Sequence, residues 1–390
     1  MYRTKRYIAD MQKSIYRYTI GVDARMLGPE QTGIGKYIAR LLEFVPPLMP
    51  EARFIAFLKE PAFSAFASGH KNVETRKVSA HWYGWKEQAV LPLELARAGA
   101  DLVHFPHFNV PIAYRKPFVV TIHDTTPYAF PGHRTGSWVR RAGFRLIFSS
   151  AVKRARQVVA VSQYTKSDIE RIFGAPAIPI EVIYEGIDGV FGAPDSRAGR
   201  EILNALGIRS PFILYVGVWR EHKNIVGLLE AYALLRSQYG ISHMLVLTGK
   251  EHAAYPAVRH TIQKLCLGNF VCTPGFVAED ALPNLYRAAS LTVIPSFSEG
   301  FGFTGLESLA CGTPVAASHA TALPEVLGDA AVYFNPRDPA DIARGMHVAL
   351  TDEAARKQIL ENAKKILQRY RWEAMAEATV AQYRRVLAAA

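Results

Sequence analysis

The residues best suited to chemistry lie in the run Pro295-Ser296-Phe297-Ser298-Glu299-Gly300-Phe301-Gly302-Phe303-Thr304-Gly305-Leu306-Glu307. An apolar stretch, Leu291–Ile294, reads as the strand before it, and a helix ending near Cys311-Gly312 follows. Gly300 and Gly302 let the backbone approach a ligand closely, and exposed amides at a helix start suit an anion. Glu299 in the loop and Glu307 in the helix put two acceptors around one spot. A carboxylate accepts from two neighbouring hydroxyls at once, which suits sugars. The plain alternative is a glycine turn beside a solvated helix glutamate.

Three further clusters sit where a strand gives way to a loop. In Tyr215-Val216-Gly217-Val218-Trp219-Arg220-Glu221-His222-Lys223-Asn224, Asn224 suits a helix N-cap. Arg220 and Lys223 precede that helix, so two cations and a helix start converge as a diphosphate would require; a solvated loop is the alternative. Gly33-Ile34-Gly35-Lys36-Tyr37 is not a dinucleotide fingerprint, because Ile38 stands at the third glycine. Nor is it a P-loop, with Glu30 at the first glycine and Tyr37 at the Ser/Thr position. His123-Asp124 closes an apolar strand and precedes Thr125-Thr126-Pro127. A histidine there can donate to a sugar hydroxyl or exchange a proton with it, although a lone strand-end histidine is more often structural.

Strands alternate with helices along the whole chain, the pattern of parallel sheets built from βαβ units. Strands are expected in the first half at Tyr18–Val22, Arg53–Leu58, Leu102–Phe105, Phe118–Ile122 and Gln157–Val161. Ile34, Ile38, Leu41, Leu42 and Val45 share one face of the helix after the first of them. The second half offers Phe212–Val216, Met244–Leu247, Phe270–Thr273, Leu291–Ile294, Pro314–Ala317 and Ala331–Phe334. The glycine-rich stretch Gly186–Gly199 reads as a linker. At 390 residues, two domains are expected. The expected fold is α/β, two Rossmann-like doubly wound domains facing a cleft, with ligands beyond the carboxyl ends of the strands. The domains fall at 1–190 and 197–370, and a helix over 371–390 crosses back to the first.

Taken together, the 295–307 run, the Lys223-Asn224 turn and the Gly33 loop resemble glycosyltransferase family 4, retaining enzymes of the GT-B fold, and its mannosyltransferase-like members in particular. That family carries two glutamates separated by seven residues, as Glu299 and Glu307 are. The resemblance implies that Glu299 contacts the transferred sugar and Glu307 the nucleotide ribose, with the amides of Phe301, Gly302 and Phe303 against sugar and phosphates. It assigns Arg220 and Lys223 to the leaving diphosphate, Gly33 and Gly35 to a loop over the donor phosphates, and His123 to the transferred sugar. Some relatives place an Arg directly after the glycine, where this chain has Val218. The implied reaction moves a hexose, with GDP-mannose the leading donor and rhamnose, glucose or N-acetylglucosamine donors open, onto a lipid-linked oligosaccharide of a surface polysaccharide. No cofactor or metal is expected, the cations replacing a divalent ion. Front-side attack by the acceptor hydroxyl is implied, the departing phosphate taking its proton. An epimerase on the same fold would need first-domain carboxylates, and Asp23 and Asp124 are the candidates. A non-catalytic sugar-binding subunit would be expected to lack Glu299 or Lys223.

Composition bounds the surroundings. With 49% hydrophobic and 21% charged residues the chain is ordinary globular protein. Three cysteines without metal-ligand spacing fit a reducing compartment, and no apolar run reaches membrane-span length. The net charge of +12 belongs mostly to residues 1–195, which carry 26 Lys and Arg against 17 Asp and Glu. Between Asp124 and Asp168 there is no acid, yet Arg134, Arg140, Arg141, Arg145, Lys153, Arg154, Arg156 and Lys166 fall there, with Trp138, Phe144, Leu146, Ile147 and Phe148 among them. This reads equally as a basic amphipathic helix on anionic lipid, with Arg134, Trp138, Arg140, Arg141 and Arg145 at the membrane, or as a half-buried helix with a solvated basic face. No nucleic-acid-binding signature is present. A cytoplasmic protein, peripheral at the inner membrane face, is the expectation.

Overall fold

The computed structural model describes residues 16–28, 32–130, 138–192, 199–252 and 255–389. Among them, short β-branched and aromatic runs form two sheets whose pairings are all parallel. The first contains β1 (Tyr18–Asp23), β2 (Ala52–Leu58), β3 (Val73–Lys77), β4 (Leu102–Phe105), β5 (Phe118–Ile122), β6 (Gln157–Ala160) and β7 (Glu181–Val182). Their order is β3-β2-β1-β4-β5-β6-β7. The second contains β8 (Phe212–Val216), β9 (Met244–Thr248), β10 (Val271–Gly275), β11 (Leu291–Ile294), β12 (Val315–Ser318) and β13 (Val332–Phe334), ordered β10-β9-β8-β11-β12-β13. Strand order therefore reverses between β1 and β4 in one sheet and between β8 and β11 in the other. Such reversals open a crevice at the carboxyl edge, where doubly wound sheets hold ligands.

Eleven of these strands answer to apolar runs in the sequence. The two that do not are edge strands: β3 reads Val-Glu-Thr-Arg-Lys and β7 has two residues. A strand that covers no core carries no hydrophobic pattern to read.

The chain divides into two units: Met1–Thr125, Thr135–Gly186 and Trp372–Ala390 form one, and Thr126–Arg134 with Ile187–Arg371 the other. The first is centred on Phe57, Leu91, Val103, Phe105, Phe118 and Val120, all fully buried. The closing helix Trp372–Ala388 belongs to this unit, where its Tyr383 hydroxyl bonds His104 on β4. The second unit's core includes Ile213, Leu228, Tyr232, Leu245, Leu247 and Met346.

Three expectations are revised. The linker is shorter than Gly186–Gly199, because Phe191 is fully buried against Tyr286 in the second unit. The basic stretch is not one helix: α2 (Trp138–Arg154) ends before β6, and a new helix begins at Gln163. Arg134 lies outside the described residues. The segment Thr126–Phe130, from the first half of the sequence, joins the second unit, its Thr126 hydroxyl bonding that of Ser298 at 2.8 Å.

Candidate active site

At the β8/β11 reversal two loops meet. After β8 the chain forms a short 3-10 turn, Glu221–Lys223, and enters α3 (Ile225–Tyr239) through Asn224. Asn224 takes the N-cap position in a left-handed conformation (φ 54°), but its side chain does not cap. Its amide donates instead to the carbonyls of Pro295 (3.0 Å) and Pro336 (2.7 Å), tying this loop to the one after β11. Gly227 is required one turn on, since a Cβ there would lie 2.5 Å from Asn224 Oδ1.

This tie brings Lys223 to Glu299, Nζ donating to both carboxylate oxygens at 2.7 and 2.8 Å. The Ser296 hydroxyl donates to the same carboxylate at 2.7 Å, and the Glu299 amide donates to Thr321 Oγ1 at 2.9 Å. Burial works against the charged Glu299, but Lys223 and Ser296 outweigh it and hold the carboxyl below its usual range. The adjacent His222 is pushed down to about 3, by burial first and then by Lys223. It is therefore neutral.

The β11 loop enters α4 (Phe303–Ala310) through Gly302, at φ 104° a conformation that glycine adopts without strain. A Cβ there would also come within 2.7 Å of Leu323. Phe301 is buried with its ring edge-on to Tyr370. One turn into α4, Glu307 is buried and accepts the Tyr286 hydroxyl at 3.0 Å. Arg220 is exposed, with its neighbour Trp219 buried.

In the first unit Gly33 and Gly35 do not form a loop. They occupy the first turn of α1 (Thr32–Phe44), because Tyr37, Ile38, Leu41 and Leu42 bury one face of the helix and fix its start upstream. His123 follows β5. Its Nε2 faces the Pro106 carbonyl at 2.9 Å, and its Nδ1 lies 3.0 Å from Glu185 in a charge contact off the line of a good hydrogen bond. Burial opposes the imidazolium, but Glu185 and then Asp124 outweigh it, so the His123 pKa is raised. Both ring nitrogens thus have partners within the first unit.

Residues 200–366 match the family "Glycosyl transferases group 1", and residues 33–189 match "Glycosyltransferase Family 4". An uncharacterised glycosyltransferase of Methanocaldococcus jannaschii is 30% identical over 295 residues, 73% of either chain. The chain belongs to glycosyltransferase family 4.

This glycosyltransferase is also 28% identical to O-antigen chain mannosyltransferase B of Escherichia coli over 284 residues, covering 73% of this chain and 74% of that one. Its fold is that of Anabaena HepE, solved in complex with UDP-glucose: the TM-score is 0.73 at 21% identity, over 94% of this chain and 98% of that one.

Of the residues expected at the site, the glycosyltransferase brings Lys223 and Glu299 into one ion pair, with Glu307 on the helix that the same loop enters. Reading the sequence assigned that pair to separate duties, diphosphate and sugar, and did not join them. Ser296, Thr321 and Tyr286 went unread. Ser296 had a signal, standing three residues before Glu299 in the same loop. Tyr286 and Thr321 had none, since their contacts to Glu307 and Glu299 span 21 and 22 residues.

Proposed function

We propose that this glycosyltransferase transfers a hexose, mannose from GDP-mannose, onto a lipid-linked glycan of a surface polysaccharide, with retention at the anomeric carbon. The Lys223–Glu299 pair at the β8/β11 reversal carries the reading. A cation held beside a carboxylate at a helix start is the equipment for a sugar attached to a diphosphate. When donor binds, Lys223 turns to the diphosphate and Glu299 is released to accept sugar hydroxyls. The bond between anomeric carbon and phosphate oxygen breaks, the acceptor hydroxyl bonds to that carbon, and the leaving phosphate takes its proton. Lys223, with Arg220 and the α4 amides, bears the developing charge in place of a metal. Relatives named as O-antigen chain mannosyltransferases support both the sugar and the polymer.

Exposed side chains on α2 support a lipid-linked acceptor. Trp138 is 79% and Leu146 60% exposed, beside exposed Arg141 and Arg145, while Phe148, Ala151 and Val152 are buried. Arg154 has another task, its guanidinium donating to the carbonyls of Pro111, Ile112 and Tyr114. Among the described residues no helix is long and apolar enough to cross a membrane, so contact would be peripheral.

A donor screen by thermal shift tests the reading, with GDP-mannose, UDP-hexoses and dTDP-rhamnose on wild type and Glu307→Ala. Donor at a hundred times its Kd stabilises by about 2.7 kcal/mol. GDP-mannose is expected to stabilise the wild type and not Glu307→Ala. A shift with UDP- or dTDP-sugars alone overturns the mannose assignment, and no shift with any of them overturns the site.

A further inference from the structure

His123 and Glu185 take no part in the chemistry above, yet the first unit buries both and sets them against each other. Glu185 lies three residues past β7 and is 1% exposed. Its Oε1 is buried and accepts no hydrogen bond of good geometry, and its charge partner is His123, with Nδ1 at 3.0 Å. To reach it, Glu185 passes the end of β6, which lies between β5 and β7. The next residue fixes it there. A Cβ on Gly186 would stand 2.3 Å from the backbone nitrogen of Trp372 and 2.6 Å from its ring. The turn that carries Glu185 is thus clamped against the start of the closing helix.

The partners of the ring dictate where its hydrogens sit. A carbonyl only accepts, so Nε2, 2.9 Å from the Pro106 oxygen, carries one hydrogen. An ionised carboxylate only accepts as well, so Nδ1 beside Glu185 carries a second. The ring is then an imidazolium, and the pair as a whole is neutral. Each charge compensates the other, which is what lets a fold bury both. The remaining neighbours do not replace Glu185. Asp124 adds a weaker pull on the same proton. Tyr37 on α1 stands across the imidazole at 4.9 Å, and burial pushes its phenol up, so it stays uncharged. His104 on β4 and His107 beyond it are each pushed down to about 3, by burial first and then by His123, and stay neutral.

We propose that Glu185 is a positioning residue for the transfer: its buried carboxylate holds the His123 ring in one orientation with a hydrogen on both nitrogens. His123 then meets substrate as a donor and a fixed positive charge, not as a base. That agrees with a reaction in which the leaving phosphate, and not the protein, takes the acceptor's proton. The assignment rests on the transfer reading above and on the contact with the transferred sugar that the family resemblance implies for His123.

Two measurements on the full chain test it. The first needs no substrate: proton–nitrogen correlation NMR of the histidine side chains across pH, with His123 assigned by its loss in His123→Gln. At about pH 7, above the ordinary histidine midpoint near 6.5, both His123 nitrogens should carry hydrogens in the wild type. In Glu185→Gln, which keeps the shape and removes the charge, the hydrogen on Nδ1 should be lost and that on Nε2 kept. A neutral His123 in the wild type overturns the proposal, even should the variant fail to fold. So does a ring that stays charged in Glu185→Gln. The second measurement is kcat against pH. Glu185→Gln should move the alkaline limb to lower pH and cut kcat there about tenfold, with donor KM unchanged within about twofold. In the His123→Gln background the same change should cost nothing further. A loss equal at every pH, or one repeated in His123→Gln, makes Glu185 a structural support and overturns the proposal. Absence of transfer by the wild type fails the transfer reading instead, and the NMR result still judges the pair.

Discussion

Replacing Lys223 with Met tests whether the ion pair with Glu299 is a strut or the catalytic centre. The change keeps the aliphatic stem and removes the charge. The side chains are 20% and 14% exposed, so the pair is partly desolvated rather than sealed. Breaking a fully buried pair costs about 3–5 kcal/mol, and the residual exposure discounts this to about 2 kcal/mol. Glu299 keeps the Ser296 hydroxyl but loses the charge holding its pKa down, so burial drives it upward. Activity should fall much further. A group that stabilises charge developing on a leaving oxygen is worth roughly 10²–10³ in kcat, or about 2.7–4 kcal/mol. The assay is kcat/KM for hexosyl transfer from the stabilising donor, beside urea denaturation. The paired variant Lys223→Met/Glu299→Gln separates the two effects. It leaves no uncompensated charge, so stability should return to within about 1 kcal/mol of wild type while activity stays lost. If Lys223→Met keeps kcat/KM within about threefold, or if the paired variant regains activity with stability, the pair is a strut.

Acid should weaken the first unit through His104, which is fully buried, bonds Tyr383 and Thr121, and is pushed by burial down to about 3. The unfolded chain takes up a proton near pH 6.5 that the folded chain refuses, so stability falls as pH drops below 6.5. His104→Gln should flatten that slope in urea titrations between pH 7 and 5 by up to one proton, about 1.4 kcal/mol per pH unit, and an unaltered slope refutes the assignment. Glu87, raised by burial to about 6, opposes the trend, because its folded form binds a proton before the unfolded one does. A Cβ at Gly249 would stand 1.9 Å from the Gly217 carbonyl, at φ 107°. Gly249→Ala should therefore cost about 3 kcal/mol, read from the denaturation midpoint, and a cost below about 1 kcal/mol means the β8 and β9 loops separate freely. Glutamate at Arg140, Arg141 and Arg145 together should weaken binding to anionic liposomes while sparing donor shifts, and unchanged liposome binding would sink the membrane reading.

How much could be read from the chain alone depended on whether the controlling interaction was local. Eleven strands were legible because each contains an apolar run bounded by turn residues, and Glu299 and Glu307 because loop and helix start are contiguous. β3 and β7 were not, since β3 reads Val-Glu-Thr-Arg-Lys with no apolar run and β7 has two residues. The helical start at Gly33 was misplaced because glycines signal a loop, while Tyr37 and Ile38, buried by tertiary packing, decide that a helix already runs there. Asn224 looked like a cap and became a tie between two loops, since Pro295 and Pro336 are 71 and 112 residues away. Its sequence thus determined the family, the sheet-forming segments and the loops that carry carboxylates and cations. Only the tertiary structure decided that Lys223 grips Glu299 and that Glu185 and Pro106 occupy the nitrogens of His123. Each of these turns on which strand lies beside which, and that is set by packing between segments far apart in the chain.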